Sequence, residues 1–188
     1  MKFLDRVLQR WRITKARSFI RTGARILDIG SADGVLFQML GRQISSGVGI
    51  DPALSVGQSV GAVQFITGFF PKDMPEIEPF DTITMLAVLE HFPMSEYAIL
   101  TAGCRRHLKP DGRLVIIVPS PKVDRILHWL AALYLIDGMS LEEHHQYNVD
   151  QTTQIFPAPD FRLVHRERFQ LGLNNLFVFQ HTGAQANH

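Results

Sequence analysis

The chain has 188 residues, of which 46% are hydrophobic and 20% charged, and its formal net charge is +1. These values are typical of one globular domain with a sizeable core. The small net charge argues against a dedicated nucleic-acid-binding protein, which would be strongly basic. One cysteine, Cys104, excludes an intramolecular disulfide, and the N-terminus lacks the continuous apolar core of a signal peptide. We therefore expect a cytoplasmic protein.

The N-terminal segment 1–24 is predicted to be a basic helix, since the first 25 residues hold eight basic side chains and one acid, a local net charge of +7. Basic residues at four-residue intervals share one helix face and apolar residues form another: Lys2, Arg6 and Arg10 against Phe3, Leu4, Val7 and Leu8. A solvated face is one interpretation. Weak contact with anionic lipid, or with an acidic substrate, is the alternative.

Short apolar runs then alternate with helical patterns, as in a parallel sheet covered by helices. Strands are predicted at 25–29, 47–50, 63–67, 80–86 and 113–118, and helices at 35–42 and 96–108. Lys109–Gly112 (KPDG) predicts a turn before the fifth strand. In the last third, runs at 161–170 and 176–181 predict an antiparallel hairpin.

The first strand leads into a glycine turn, ILDIGSADG at 26–34, with Asp28 at the strand end and Gly30 and Gly34 in the turn. Such a turn places backbone N–H groups beside a ligand, and both dinucleotides and S-adenosylmethionine use it. The dinucleotide pattern G-x-G-x-x-G would fall on Gly30, Ala32 and Val35. A branched valine fits the third position poorly, which disfavours a dinucleotide.

Asp28–Gly34 resembles the first motif of the class I S-adenosylmethionine-dependent methyltransferases, acid-x-Gly-x-Gly-x-Gly, with Ala32 in place of the middle glycine. Asp51 follows at the end of the second strand, where an acid can accept hydrogen bonds from both ribose hydroxyls. Two later segments, FDTITMLAVLEHF at 80–92 and LKPDGRL at 108–114, resemble the small-molecule group that includes menaquinone and ubiquinone biosynthesis methyltransferases.

The resemblance implies an α/β fold: a Rossmann-like, mostly parallel seven-stranded sheet with helices on both faces and a C-terminal antiparallel hairpin. It implies a methyltransferase of the EC 2.1.1 class that binds S-adenosylmethionine and methylates a small-molecule acceptor by in-line displacement. The expected cofactor-binding residues are Asp28, Gly30, Ser31, Ala32, Asp33, Gly34, Asp51, Pro52, Gly68, Phe69, Leu86, Ala87 and His91.

Adenine recognition is where the chain departs from many relatives, which carry an acid after the third strand. Here Gly68 is followed by Phe69 and Phe70. An aromatic ring could pack on the adenine face instead. The alternative is that both phenylalanines fill the core.

Three histidines are candidates for a general base, namely His91, His144 and His145. His91 comes with the motif and either contacts the cofactor or orders its loop. The adjacent pair follows two acids and forms either a polar turn or a substrate base. It lacks the i, i+4 spacing of helical zinc sites, so no metal is expected.

We expect a single S-adenosylmethionine-binding domain over 1–182, with a substrate or lid insertion within 120–160 and a disordered tail at 183–188. The apolar stretch 126–139 either packs on the sheet or covers an apolar acceptor. Its apolar run is shorter than the roughly 20 residues of a bilayer span, so no stable membrane insertion is expected.

Two other functions remain open at the level of sequence. One is a non-catalytic S-adenosylmethionine- or nucleoside-binding module. The other, disfavoured by Val35, is an NAD-dependent oxidoreductase. A nucleic-acid substrate is not expected, since no segment typical of flipped-base methylation follows the fourth strand.

Overall fold

The computed structural model describes residues 3–54, 59–120 and 148–183. The apolar stretch 126–139, His144 and His145 lie outside the described residues, as does the predicted tail beyond Gly183. No helix among the described residues is long and apolar enough to cross a membrane.

Eight strands and four α-helices form from the described residues. The strands are β1 (Ala24–Ile29), β2 (Ile44–Asp51), β3 (Ser59–Val60), β4 (Val63–Thr67), β5 (Phe80–Leu86), β6 (Leu108–Pro119), β7 (Phe161–Phe169) and β8 (Asn174–His181). The helices are α1 (Phe3–Arg17), α2 (Val35–Leu40), α3 (Tyr97–His107) and α4 (Thr152–Ile155).

All eight strands form one sheet in the order β3-β4-β2-β1-β5-β6-β8-β7. The five central strands are parallel, and β7 and β8 form the antiparallel hairpin at one edge. The Rossmann-like α/β prediction is confirmed, with one correction to the strand count. The extra strand is the two-residue β3, which pairs antiparallel with β4 and is too short to leave a periodic signal in the sequence.

Helices cover both faces of the sheet because the central strands are apolar on both sides. On β6, Leu114, Ile116 and Val118 belong to the cluster packed under α3 and α4, whereas Val115 and Ile117 pack with Ala16 of α1. Ile26 of β1 packs with α2 and with Ile13 of α1. Helix α1 therefore reaches the glycine turn after β1 from only one face of the sheet.

Several predicted elements differ from the structure, among them the following three. The KPDG segment is a bulge inside β6 rather than a turn before it. Phe80 of β5 pairs with Leu108 and Thr82 pairs with Arg113, so β6 has extra residues between these two pairs. Asp111, one of the extra residues, adopts φ +60°. Helix α2 ends at Leu40 and continues as a short 3-10 turn. Among residues 6–17 of α1, Ile13 and Ala16 are buried, whereas Val7, predicted on the apolar face, is exposed.

Candidate functional site

The candidate site lies where the strand order reverses. The chain runs from β1 outward through β2 and β4, then returns to place β5 on the other side of β1. In open α/β sheets, ligands bind at the carboxyl ends of the strands beside such a switch point. The glycine turn begins at the carboxyl end of β1, so the motif found in the sequence occupies the expected crevice.

Both glycines of the turn are required by its geometry. Gly30 has φ +75°, and a Cβ there would lie 2.3 Å from Val88 Cγ2. Gly34 has φ +68°, and a Cβ would lie 2.8 Å from Phe65 Cζ. The Gly30 N–H donates to the Ile50 carbonyl over 2.8 Å, which ties the turn to β2. The turn thus runs between the side chains of Val88 and Phe65, and neither glycine position has room for a side chain.

Ala32, the departure from the glycine motif, adopts φ +42°. A left-handed conformation costs an alanine about 1 kcal/mol that a glycine avoids. Its N–H donates to Asp51 Oδ2 over 3.1 Å, which helps to hold this conformation. The alanine therefore occupies a position whose backbone suits glycine.

We expect Ala32→Gly to leave the free energy of unfolding unchanged or to raise it by up to about 1 kcal/mol, because relief of strain is offset by the entropy of the unfolded glycine. Ala32→Val should lower it by about 2 kcal/mol, since branched residues tolerate positive φ poorly. Urea denaturation of the three proteins measures both changes. A glycine variant less stable than the valine variant would contradict the strain argument.

Asp28 is a buried carboxyl group at the carboxyl end of β1. It is 4% exposed, and Thr84 Oγ1 of β5 donates to its Oδ1 over 2.6 Å. Burial raises the pKa of Asp28 to about 7, the nearby carboxylates of Asp51 and Asp33 add to the rise, and the Thr84 hydroxyl opposes it. A carboxyl group held in this way favours a cationic partner.

Asp51 lies at the end of β2, and two backbone N–H groups hold its carboxylate. Ala32 N–H donates to Oδ2 and Ala53 N–H to Oδ1, over 3.1 and 2.8 Å. Each carboxylate oxygen has a second lone pair, so Asp51 retains two acceptor positions for a ligand. The backbone bonds fix its orientation toward the turn.

Helix α1 covers the outer side of the turn. Gln9 Nε2 donates to Asp33 Oδ1 over 3.1 Å. A cavity of about 50 Å³ lies between α1 and the turn, lined among others by Gln9, Arg12, Asp28, Gly30 and Leu86. Arg12 Nε is held by the Asn174 side chain of β8 over 3.0 Å.

Ser31 is the one buried turn residue whose hydroxyl makes no hydrogen bond within the described part of the chain. Its side chain fits because β2 has a glycine beside it: a Cβ at Gly49 would lie 2.6 Å from Ser31 Oγ. A buried hydroxyl without a partner is costly unless a ligand or water supplies one. The turn therefore offers a free polar group to a ligand.

The two phenylalanines after β4 are placed differently. Phe70 is buried in the core, so the core interpretation holds for it. Phe69 is 64% exposed, and its backbone N–H donates to Asp73 Oδ2 over 2.8 Å. Its ring follows Gly68 at the carboxyl end of β4, next to β2 and Asp51. Pro52, also predicted, is exposed beside Asp51.

The segment after β5 lies across the glycine turn. Leu86 lines the small cavity, and Ala87 adopts φ +61° while its N–H donates to the Ile117 carbonyl over 2.7 Å. The next residue, Val88, contacts Gly30. His91 ends the 3-10 turn Leu89–His91 and is exposed.

Sequence reasoning missed three residues of this site: Gln9, Arg12 and Thr84. Thr84 pairs with Asp28 in the register of β1 and β5, which no local pattern reveals. Gln9 and Arg12 reach the site only because α1 packs on the sheet. Of the predicted residues, the structure brings Asp28, Gly30, Ser31, Ala32, Asp33, Asp51 and Leu86 together around the turn.

A cavity of about 550 Å³ lies elsewhere, between α3 and residues 151–160. It shares no lining residue with the glycine turn, so we assign it no part in the site. Cys104 of α3 is not a candidate reactive residue either, because burial raises the pKa of its thiol and disfavours the thiolate.

The chain is similar in sequence to proteins named as methyltransferases. A ubiquinone biosynthesis O-methyltransferase of Neisseria meningitidis is 29% identical over 126 residues, covering 61% of this chain and 52% of the relative. That of Hahella chejuensis is 32% identical over 101 residues, covering 49% and 42%. The chain thus spans about half the length of these relatives.

Solved structures share the fold. The N-methyltransferase NodS from Bradyrhizobium japonicum, in complex with S-adenosyl-L-homocysteine, aligns with a TM-score of 0.70 at 17% identity, over 92% of this chain and 86% of that one. The 1,6-didemethyltoxoflavin-N1-methyltransferase of Burkholderia thailandensis, with S-adenosylhomocysteine bound, aligns at 0.67 and 17%, over 91% and 78%. A family model described as "Methyltransferase domain" matches residues 2–166. Since that match spans most of the sequence, the chain belongs to the methyltransferase domain family.

Proposed function

We propose that this protein transfers a methyl group from S-adenosylmethionine to a small-molecule acceptor. The observation that carries the proposal is the cluster of carboxyl groups at the glycine turn: Asp28, Asp33 and Asp51. S-adenosylmethionine has a sulfonium, an ammonium and one carboxylate, a net charge of +1. A dinucleotide instead brings a pyrophosphate, which these carboxylates would repel. The cluster therefore supports the methyl donor over NAD.

The residues of the turn fit such a donor. We propose that Asp28 accepts from its ammonium group and that Asp51 accepts from the ribose hydroxyls through its two remaining lone pairs. Gly30 and Gly34 let the backbone approach closely. The unpartnered hydroxyl of Ser31 is buried against the same turn and supplies one further polar contact.

We further propose that the Phe69 ring packs on the adenine. The Phe69 side chain is 64% exposed at the carboxyl end of β4, where a ligand can reach it. Pro52 and Gly68 border the same end of the sheet, next to Asp51. Adenine would then be held mainly by apolar contact.

When bound, the sulfonium supplies an activated methyl group, so the protein's task is alignment and exclusion of water. We propose that Leu86 and Ala87 hold the acceptor's nucleophile in line behind that methyl. Transfer to the acceptor would break the donor's C–S bond as the new bond forms, and would leave its electron pair on sulfur. His91 is our candidate to take the acceptor's proton where one must leave. His144 and His145 remain candidates from the sequence.

The acceptor we propose is a small, apolar molecule acted on in the cytoplasm. Two observations support it: Leu86 and Val88 border the turn, and the relatives above are named for ubiquinone biosynthesis. The buried, unpaired Cys104 fits a reducing compartment.

Calorimetric titration tests the donor. We expect saturable binding of S-adenosylmethionine and of its demethylated product, and no heat with NAD. Binding of NAD alone would overturn the proposal. Incubation with a methyl-labelled donor and a panel of phenolic and amine acceptors then separates an enzyme from a binding module, because only the enzyme releases the demethylated product in proportion to acceptor.

A further inference from the structure

The outer surface of α1 exposes apolar side chains next to basic ones. Trp11 is 51% exposed, and Val7, one helical turn before it, is 39% exposed. Arg6 and Arg10 are exposed beside them. We call these four residues the outer face of α1. Exposed tryptophan next to arginine is typical of protein segments that lie at a lipid–water interface.

A third apolar side chain lies on the same side of the molecule. Leu171, at the tip of the turn between β7 and β8, is fully exposed. The preceding Gln170 is buried and its Nε2 donates to the Leu8 carbonyl of α1 over 3.4 Å. The turn tip therefore lies beside the first half of α1, and its leucine adds an exposed apolar side chain near that helix.

The other basic residues of α1 are bound to the rest of the protein. Lys15 pairs with Glu167 over 2.6 Å, Arg12 binds Asn174, and Arg17 Nε donates to the Gln43 side chain. Arg6 and Arg10, by contrast, extend from the exposed face. Their charge is therefore available to a partner.

Charge is also divided along the chain. Residues 1–25 have a net charge of +7, which leaves −6 for residues 26–188. Near an anionic surface this asymmetry attracts the α1 side and repels the remainder, and so it orients the molecule. Nucleic acid would satisfy the arginines but would gain little from Leu171 or Val7. An anionic bilayer uses both the charge and the apolar side chains.

We propose that the outer face of α1, together with Leu171, docks on the surface of an anionic phospholipid bilayer. Trp11, Val7 and Leu171 enter the headgroup region, and Arg6 and Arg10 pair with lipid phosphates. Because the inner side of the same helix lines the cavity at the glycine turn, docking would hold the candidate site next to the membrane. The proposal does not depend on methyl transfer.

Co-sedimentation of the full chain with large unilamellar vesicles tests this. We expect binding to vesicles of 30% phosphatidylglycerol in phosphatidylcholine at 0.1 M salt, and at least tenfold weaker binding to phosphatidylcholine alone. Arg6→Gln/Arg10→Gln should weaken binding to the anionic vesicles about 25-fold, since each basic residue near such a surface contributes about fivefold. Trp11→Ala and Leu171→Ser should each weaken binding several-fold.

Matched controls carry the same changes away from α1. Arg42→Gln/Arg162→Gln removes two exposed arginines elsewhere, and Ile99→Ala removes an exposed apolar residue of α3. Neither should alter vesicle binding. The sequence has two tryptophans, Trp11 and Trp129. In a Trp129→Phe background, emission from Trp11 should shift to the blue with anionic vesicles.

Three results would overturn the proposal. One is equal binding to both kinds of vesicle. Another is loss of binding in the controls to the same degree as in the α1 variants. The third is absence of vesicle binding together with self-association that Trp11→Ala abolishes, which would make a second copy of this chain the occupant.

Discussion

Asp28→Asn is expected to stabilise the protein at pH 8 while weakening its binding of S-adenosylmethionine. The pKa of Asp28 rises from its ordinary 3.8 to about 7. Between these values the folded protein binds a proton that the unfolded chain has released, so the free energy of unfolding falls as pH rises from about 4 to 7. Above pH 7 the full cost is present, on the order of 4 kcal/mol at 1.36 kcal/mol per pKa unit.

An asparagine has no charge to desolvate and can still accept from the Thr84 hydroxyl. The gain should be less than the full cost, because its amide N–H groups need partners in a buried position. We expect a higher melting temperature than wild type at pH 8 and a difference that vanishes near pH 4. Differential scanning calorimetry across this range measures it.

Donor binding should change in the opposite direction. Without the carboxylate, the ammonium group loses a charge-assisted hydrogen bond, and the dissociation constant should rise about 10- to 100-fold. In wild type, affinity should increase from pH 6 to pH 8 as Asp28 ionises, with a midpoint near 7; in the variant the profile should be flat. Unchanged affinity in Asp28→Asn would remove Asp28 from the donor site.

Asp81 provides the control for the stability argument. Although its partial burial acts the other way, hydrogen bonds from Lys109 Nζ and the Arg25 N–H hold the pKa of Asp81 below its ordinary value. Such a group adds stability above its ordinary pKa and loses it as pH falls. Asp81→Asn should therefore lower the melting temperature at pH 8. Equal gains in both variants would point to a general charge effect.

Gly30→Ala is expected to abolish tight donor binding and to destabilise the fold. A methyl group at φ +75° would lie 2.3 Å from Val88 Cγ2. The left-handed backbone costs about 1 kcal/mol, and the displaced neighbour adds about 1–3 kcal/mol. We expect a loss of about 2–4 kcal/mol in the free energy of unfolding by urea denaturation. Donor binding should weaken about 100-fold by titration, because the turn must move.

Gly23→Ala separates the two causes. Gly23 has φ +77°, nearly that of Gly30, but a Cβ there would meet nothing within 4 Å. It should lose only the backbone cost of about 1 kcal/mol and keep its donor affinity. If Gly23→Ala and Gly30→Ala lost equal stability, the contact with Val88 would carry no weight. If Gly30→Ala bound the donor normally, the turn would not be the donor site.

The features predicted correctly are those whose signal is local. Strands at 63–67 and 80–86 have the predicted bounds, because each is a short run rich in apolar and β-branched residues. Asp28, Gly30 and Gly34 lie within seven residues of one another, so this short segment predicts the strand, the turn and the helix together. The C-terminal hairpin is also predicted correctly, since its two strands are neighbours in the chain.

Other features depend on residues that are distant in sequence. Thr84 contacts Asp28 from 56 residues away, through the register of two parallel strands. Gln9 reaches Asp33 because α1 lies on the sheet, and the same packing exposes Val7 and Trp11. Helical periodicity predicts that faces differ, but it does not say which face meets the protein.

The pKa of Asp28 also depends on residues that are distant in sequence. A local pattern identifies an acid at a strand end, and that alone predicts an ordinary carboxylate. Its pKa near 7 arises from burial between two strands and from the nearby carboxylates of Asp51 and Asp33. Composition and motif were sufficient for the fold and the family, while the raised pKa of Asp28 exists only once the chain is folded, because desolvation is a property of the packed site.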